Sequence, residues 1–202
     1  MNVGVLASGE GSNLQAIIDR VHGREGVTVV AVGSDRTAAR ALVRARDARV
    51  PTRAFPLAEY SDRRARDLAM ADWLTAAGAE LVVLAGYMQL VDPEFLARFP
   101  QRVINVHPAL LPAFPGIGAV EQALAHGVKV FGVTVHFVDE GVDTGPIIAQ
   151  RALELPGATD AQEVRAALRP LEHDLLTEAV RQIARGAVSL DPANPRRVVV
   201  RG

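Results

Sequence analysis

Short apolar runs, each leading into an amphipathic stretch, constrain this chain more than any other feature. Asn2 to Ala7, Val27 to Gly33, Leu81 to Gly86 and Arg102 to Val106 are apolar almost throughout, the pattern of strands buried on both faces. Ser12 to Val21, Thr37 to Arg49, Asp62 to Ala77 and Asp160 to Ala184 carry helical periodicity. Strand then helix, repeated, predicts an α/β fold: an open, mostly parallel, Rossmann-like sheet flanked by crossover helices. After residue 130 the pattern changes. Val130 to Val138 alternates and Pro146 to Leu155 is a further apolar strand, with a connection short enough for an antiparallel hairpin in the C-terminal half. With 202 residues, 49% of them hydrophobic, the chain can bury one sizeable core. A single domain over 1–190 is expected, with 191–202 a loosely held C-terminal tail.

Composition excludes several functions. There is no Cys, which removes disulfides, thiolate catalysis and thiolate metal sites and fits a reducing compartment. No apolar run reaches the roughly 18 residues of a membrane span, and Met1 leads directly into a strand, so a cytoplasmic protein without membrane contact is expected. Lys plus Arg of 22 against Asp plus Glu of 23 gives a net charge of −1, not the basic surplus of a nucleic-acid binder. The arginines at 36, 40, 44, 46, 49, 63, 64 and 66 have helical spacing and interleaved Asp, as solvated helix faces do.

Open sheets of this kind bind ligands beyond the carboxyl ends of their strands, where the chemistry-bearing segments fall. Val103-Ile-Asn-Val-His-Pro-Ala-Leu-Leu-Pro-Ala-Phe-Pro-Gly116 puts Asn105 and His107 two residues apart at a strand end, on one side of the strand by its alternation. An amide N–H and a protonated imidazole aimed at one point stabilise an oxyanion in acyl transfer. The same pair could instead satisfy a turn. Ser8-Gly-Glu-Gly-Ser-Asn-Leu14 joins the first strand to the first helix. Free N–H groups at Gly11, Ser12 and Asn13 suit a phosphate. An ordinary turn capped by Ser12 or Asn13 is the competing view. Leu14 stands where a dinucleotide fingerprint has its third glycine, and the Gly-Lys-Ser/Thr of a triphosphate loop is missing.

Ala85-Gly-Tyr-Met-Gln-Leu-Val91 could wall a flat heterocycle or simply fill the core. In Val135-His-Phe-Val-Asp-Glu-Gly-Val-Asp-Thr-Gly-Pro146, a loop could present Asp143 to His107 and favour the imidazolium. Asp143 could equally be a turn residue, and His136 reads as structural. The five His are scattered, with no His-Glu-x-x-His helix, so no metal is expected. No Gly-x-Ser-x-Gly elbow supplies a nucleophile, which makes direct transfer to an incoming amine the simpler mechanism.

Four ordered motifs, Ser-Gly-x-Gly-Ser-Asn-Leu at 8–14, Leu-Ala-Gly-Tyr-Met at 84–88, Asn-x-His-Pro-x-Leu-Leu-Pro-x-Phe-Pro-Gly at 105–116 and Thr-Val-His-Phe-Val-Asp-Glu-Gly-Val-Asp-Thr-Gly-Pro at 134–146, closely resemble the phosphoribosylglycinamide formyltransferase family of purine biosynthesis. The likeness runs from residue 1 to about 185. It implies a formyltransferase fold and transfer of a formyl group from 10-formyltetrahydrofolate, as co-substrate, to the amine of glycinamide ribonucleotide. By this resemblance Asn105 and His107 hold the formyl oxygen, and Asp143 positions and charges His107 and helps move protons through water. Gly11, Ser12 and Asn13 match the ribonucleotide phosphate site and Glu172 a contact to the glycinamide amine. Arg63 matches a folate-tail contact; Met88, Gln89, Leu90, Val91 and Asp139, Glu140, Gly141, Val142, Asp143, with Asn105, match the folate pocket. The partners implied are these two small molecules, with the enzyme a monomer or homodimer.

The family commonly has Gly-x-His where this chain has Gly116-Ile117-Gly118, Ser in place of Ala109, Arg in place of Gln89, and Leu-Tyr-Pro where Asp-Leu-Leu-Thr follows His173. Formyltetrahydrofolate hydrolase and enzymes formylating another amine share the Asn-x-His loop and are the alternatives. Methionyl-tRNA formyltransferase would carry a basic extension. A non-catalytic sensor of phosphorylated metabolites would not need Asn105, His107 and Asp143 together.

Overall fold

Val3, Val5 and Leu6 have no solvent-accessible surface, and the strand they form, β1 (Asn2–Leu6), is central to a parallel sheet. In this computed structural model, which describes residues 1–201, the chain divides into two compact units, Met1–Asn105 and Val106–Gly202.

The first unit contains β1, α1 (Ser12–Arg20), β2 (Thr28–Ser34), α2 (Arg40–Asp47), β3 (Thr52–Ala54), a 3-10 turn at Leu57–Glu59, α3 (Arg63–Ala76), β4 (Leu81–Leu84), α4 (Pro93–Arg98) and most of β5 (Val103–His107). The strand order is β3-β2-β1-β4-β5, all parallel. Asn2 aligns with Thr28, Val3 with Leu81, Val32 with Thr52 and Val82 with Val103. The order reverses between β1 and β4, and the loops after those two strands open a crevice there.

Three short elements are absent from the sequence-based expectation or differ from it. β3 is a three-residue strand between Pro51 and Pro56, too short for a periodic signal. α4 has only six residues, although Asp92 as its cap and Pro93 at its first position are a legible helix start. α2 is shorter at both ends than the expected 37–49. Its first turn docks on the loop after β1, where Ala41 N–H donates to the Gly9 carbonyl at 3.0 Å.

The second unit contains α5 (Ala119–Ala125), β6 (Val130–Phe137), β7 (Ile147–Glu154), α6 (Ala161–Ala184), β8 (Val188–Asp191) and β9 (Asn194–Val200). β6 and β7 pair antiparallel, from Val130 opposite Glu154 to His136 opposite Ile147, as the short connection requires. β6 does not alternate between core and solvent as expected: from Phe131 to Phe137 it is buried on both faces. α6 packs on β6 and β7, burying Val164, Leu168, Leu176 and Val180. α5 follows Gly118, which starts the helix in the left-handed region at φ 75°. Residues 191–200, expected as a loose tail, fall mainly in strands: β8 and β9 form an antiparallel pair, and Ile147 of β7 aligns in parallel with Arg197 of β9. Among the described residues, no helix is long and apolar enough to cross a membrane.

A buried ion pair ties α3 to the segment after β4. Arg66 and Asp67 are 1% and 0% exposed, Arg66 Nε donates to Asp67 Oδ1 at 2.9 Å, and Asp67 Oδ2 accepts from Asp92 N–H at 2.9 Å. Burial pushes the Asp67 carboxyl up against the opposing pull of Arg66. Asp67→Ala leaves the Arg66 charge buried without its partner and is expected to cost about 3 kcal/mol or more in urea unfolding; a loss under about 1 kcal/mol would show the pair to be dispensable. Gly11 and Gly86 both have φ +73°, but a Cβ on Gly11 would lie 2.8 Å from Ala41 Cα while one on Gly86 meets nothing within 4 Å. Gly11→Ala should therefore destabilise by roughly 2 kcal/mol or more, against about 1 for Gly86→Ala; equal losses would mean that α2 yields freely.

Candidate active site

In the first unit, the loop after β1 meets the loop after β4. Ser8 N–H donates to the Gly86 carbonyl at 3.1 Å, and Ser8 Oγ accepts from Met88 N–H at 2.8 Å. Together they border a cleft of about 250 Å³ whose walls include Ser8, Gly11, Ser12, Asn13, Arg36 and Met88. Gly11, Ser12 and Asn13, expected at a phosphate, thus share one cleft. The residue that caps α1 is Gly11 itself, in the left-handed conformation, and no side chain caps the helix. That disposes of Ser12 and Asn13 as caps and leaves the first turn of α1 the positive end of a helix dipole. The reason for glycine at 11 is the approach of α2 as much as access for a ligand.

Two residues of this cleft carry charge that the motif alone does not foretell. Glu10 would repel an anion, yet its carboxylate is paired with Arg44 at 2.7 Å and Arg40 at 3.0 Å, and the Arg44 hydrogen bond, ahead of the opposing cost of burial, holds its carboxyl low. Arg36, 63% exposed in its side chain, lines the cleft, with Asp35 Oδ2 4.0 Å from its Nε. These arginines form part of the run that reads from sequence as a solvated helix face.

Met88, Gln89, Leu90 and Val91 follow Gly86, with Met88 and Leu90 each 54% exposed. Exposed apolar side chains beside a backbone turn are what a flat heterocycle can cover. Arg63 begins α3, the helix whose Asp67 accepts from Asp92 N–H just after the 88–91 segment.

In the second unit, the loop after β5 and the loop between β6 and β7 bring His107 and Asp143 together. His107 is 5% exposed. Its Nδ1 lies 3.2 Å from Asp143 Oδ2 and its Nε2 lies 2.8 Å from the Phe114 carbonyl. Both neighbours are acceptors, so only the doubly protonated ring can donate to both. Asp143 Oδ2 also accepts from Gly116 N–H at 2.8 Å, and Asp143 Oδ1 lies 3.5 Å from His136 Nε2. His136, read from sequence as structural, therefore belongs to this group; its alternation with core residues gave no signal of it. Burial pushes the Asp143 carboxyl up, but the hydrogen bond from His136, that from Gly116 N–H and the charge of His107 together outweigh it and hold the group at about 2.

The two loops are pinned from below. Thr134 Oγ1 donates to the Ala109 carbonyl at 2.7 Å and accepts from Leu111 N–H at 3.1 Å, and Gln150 Nε2 donates to the Leu111 carbonyl at 2.8 Å. In the other loop, Asp139 Oδ1 accepts from Thr144 Oγ1 at 2.6 Å and from Gly141 N–H at 3.2 Å. Gly145 must be glycine, since a Cβ there would lie 1.7 Å from the Phe137 carbonyl oxygen. Phe114 and Asp143 adopt positive φ, 55° and 53°, strain of the kind that functional sites retain. Glu140 and Val142 are exposed in the same loop. Asn105 lies in β5, two positions before His107. Glu172 lies within α6, two residues after Pro170, and is half-buried. Among the described residues, no group of three or more His, Cys, Asp or Glu could hold a metal ion.

Known proteins align with this chain over nearly its whole length. The family model for formyl transferase matches residues 1–180. A phosphoribosylglycinamide formyltransferase of Mycobacterium tuberculosis is 45% identical over 186 residues, covering 92% of this chain and 86% of that relative. One from Bacillus subtilis is 40% identical over 180 residues, covering 89% and 92%. The crystal structure of glycinamide ribonucleotide transformylase 1 from Symbiobacterium toebii superposes with a TM-score of 0.95 at 46% identity, covering 100% of this chain and 94% of that one. The loops that carry the polar groups described above all fall inside the matched span, and the chain belongs to the formyl transferase family.

Proposed function

We propose that this enzyme transfers the formyl group of 10-formyltetrahydrofolate to the amine of N1-(5-phosphoribosyl)glycinamide, a step of purine biosynthesis, by direct attack of the amine. The observation that carries this reading is the His107–Asp143 pair: a buried imidazole whose two nitrogens face acceptors, held by a carboxylate that stays charged. Such a ring, when protonated, is a fixed donor. Asn105 lies two positions earlier in β5, and by the strand's two-residue period its amide is assigned as the second donor; two donors converging on one oxygen suit a carbonyl turning tetrahedral.

In the proposed reaction the acceptor nitrogen bonds to the formyl carbon as the carbonyl electron pair moves onto oxygen. Asn105 and His107 Nε2 donate to that oxygen, which takes over Nε2 from the Phe114 carbonyl. Collapse breaks the bond to the folate nitrogen, and the proton lost by the amine reaches that nitrogen through water beside Asp143. The first turn of α1, at Gly11, Ser12 and Asn13, holds the ribonucleotide phosphate. Glu172 accepts from the glycinamide amine. Met88, Gln89, Leu90 and Val91 in the first unit, and Asp139, Glu140, Gly141 and Val142 in the second, are assigned as folate contacts, and Arg63 as the partner of the folate's carboxylate tail. The exposed apolar surface of Met88 and Leu90 fits a pterin ring.

Purified protein is expected to formylate glycinamide ribonucleotide from 10-formyltetrahydrofolate without added metal. Formyl release at the same rate with and without the amine would instead identify a hydrolase. His107→Ala should lower kcat on the order of a hundredfold while the KM for ribonucleotide changes little; a change confined to KM would remove His107 from the chemical step. Asp143 also makes a pH-dependent contribution to stability. Its carboxyl titrates at about 2 in the folded protein against 3.8 ordinarily, so the stabilisation is complete above about pH 4 and is lost as pH falls through about 2. The difference in unfolding free energy between wild type and Asp143→Asn should shrink by about 2 kcal/mol across that window, and a constant difference would contradict it.

A further inference from the structure

The formyl transferase model ends at residue 180, and none of the four motifs reaches the β8–β9 hairpin beyond it. One side chain of that hairpin nonetheless meets the loop that carries Asp143. Arg196 Nη1 donates to the Thr144 carbonyl at 2.6 Å, the carbonyl of the residue next to Asp143. We infer that the C-terminal hairpin, through Arg196, is a positioning element that holds the 138–146 loop so that the Asp143 carboxylate stays on His107.

Physical reasons converge on this role. Asp143 sits at φ 53°, a left-handed conformation that is strained for a non-glycine residue and persists only where the surroundings over-determine it. The return of the loop is fixed at Gly145 by its approach to Phe137, and inside the loop Thr144 Oγ1 is tied to Asp139. The Thr144 carbonyl is restrained from outside the loop, by Arg196, and a guanidinium is a strong charge-assisted donor to such an oxygen. The hairpin that presents Arg196 is itself anchored. β9 aligns with β7 at Ile147, one residue after the loop ends, and the turn is closed by Asp191, which accepts from Ala193 N–H at 2.9 Å and pairs with Arg197 at 3.6 Å. Arg196 is thus carried on an element fixed to the strand that leaves the loop.

The inference rests on the proposed role of Asp143, and the test separates the two. Steady-state kinetics of Arg196→Ala, Arg196→Lys, Asp143→Asn and the Asp143→Asn/Arg196→Ala double variant, on the full chain, are compared with wild type. Arg196→Ala is expected to lower kcat about tenfold with the ribonucleotide KM nearly unchanged, and Arg196→Lys to recover most of the loss. In the Asp143→Asn background the same substitution should add almost nothing, because the carboxylate being positioned is gone. Arg201→Ala, which removes an exposed cation just beyond β9, should keep kcat within about twofold. Equal losses from Arg196→Ala in both backgrounds, or none in either, would overturn the positioning role. Should Asp143→Asn itself leave turnover intact, the proposed role of Asp143 fails, and this inference with it.

Discussion

A charged carboxylate taken out of water must find donors, and the second unit is organised around meeting that demand at Asp143. His107 arrives on β5, His136 on β6, Gly116 N–H on the loop after β5, and Asp143 itself on the loop between β6 and β7. The pairing of β6 with β7 brings the ends of that loop together, and the Thr134–Gln150 hydrogen bonds hold the start of the other. Were one donor missing, desolvation would push the carboxyl up and weaken its hold on the imidazole. That the group instead lies at about 2 means that the donors outweigh the burial. Positive φ at Phe114 and Asp143 is where the backbone gives way to this arrangement.

The first unit handles charge by another route. Its cleft is lined by the start of α1, which no side chain caps, and by Arg36. Glu10, which sits in the cleft wall, is already matched by Arg40 and Arg44, so its charge does not oppose an incoming anion. The β1–β4 reversal makes room for the cleft, and Ser8 ties the two bordering loops together through Gly86 and Met88. A phosphate bound there would be met by backbone dipoles, whose geometry is fixed by the sheet, and by the exposed side chain of Arg36.

Much of this was legible in the residues. Near-continuous apolar runs marked β1, β2, β4 and β5, because strands of a covered parallel sheet have no solvent face to mark with polar residues. The short spacing between β6 and β7 foretold their antiparallel pairing. The pairing of His107 with Asp143 was expected from the loop glycines and from family likeness. What was not legible lacked a local signal. His136 has the strand position of a core residue, and only the antiparallel register reveals that it reaches the loop carrying Asp143. Arg36 looks like one more solvated arginine until β2 places it at the cleft. The β8–β9 hairpin contains Pro192 and Pro195, which read as breakers, yet its ladder runs through Val198 to Val200, where neither proline needs to donate. Gly11 carries an apparent ligand signal that the close approach of Ala41 accounts for as well.

The geometry also divides the work of Asp143. Oδ2 serves His107 and Gly116, and Oδ1 faces His136, so both oxygens are engaged before any substrate arrives. A carboxylate with its pKa at about 2 is a poor proton acceptor at neutral pH, since general-base efficiency needs a pKa near the working pH. In the proposed reaction Asp143 is therefore not the group that keeps the proton of the attacking amine. In the proposed chemistry its strength lies in the opposite property: it stays an anion, and an anion fixed beside the His107 ring favours that ring as a donor while negative charge grows on the formyl oxygen. Water beside the carboxylate can pass a proton along without leaving it there. In the proposed chemistry the second unit supplies a preorganised field, and the acid and base are the reactants themselves.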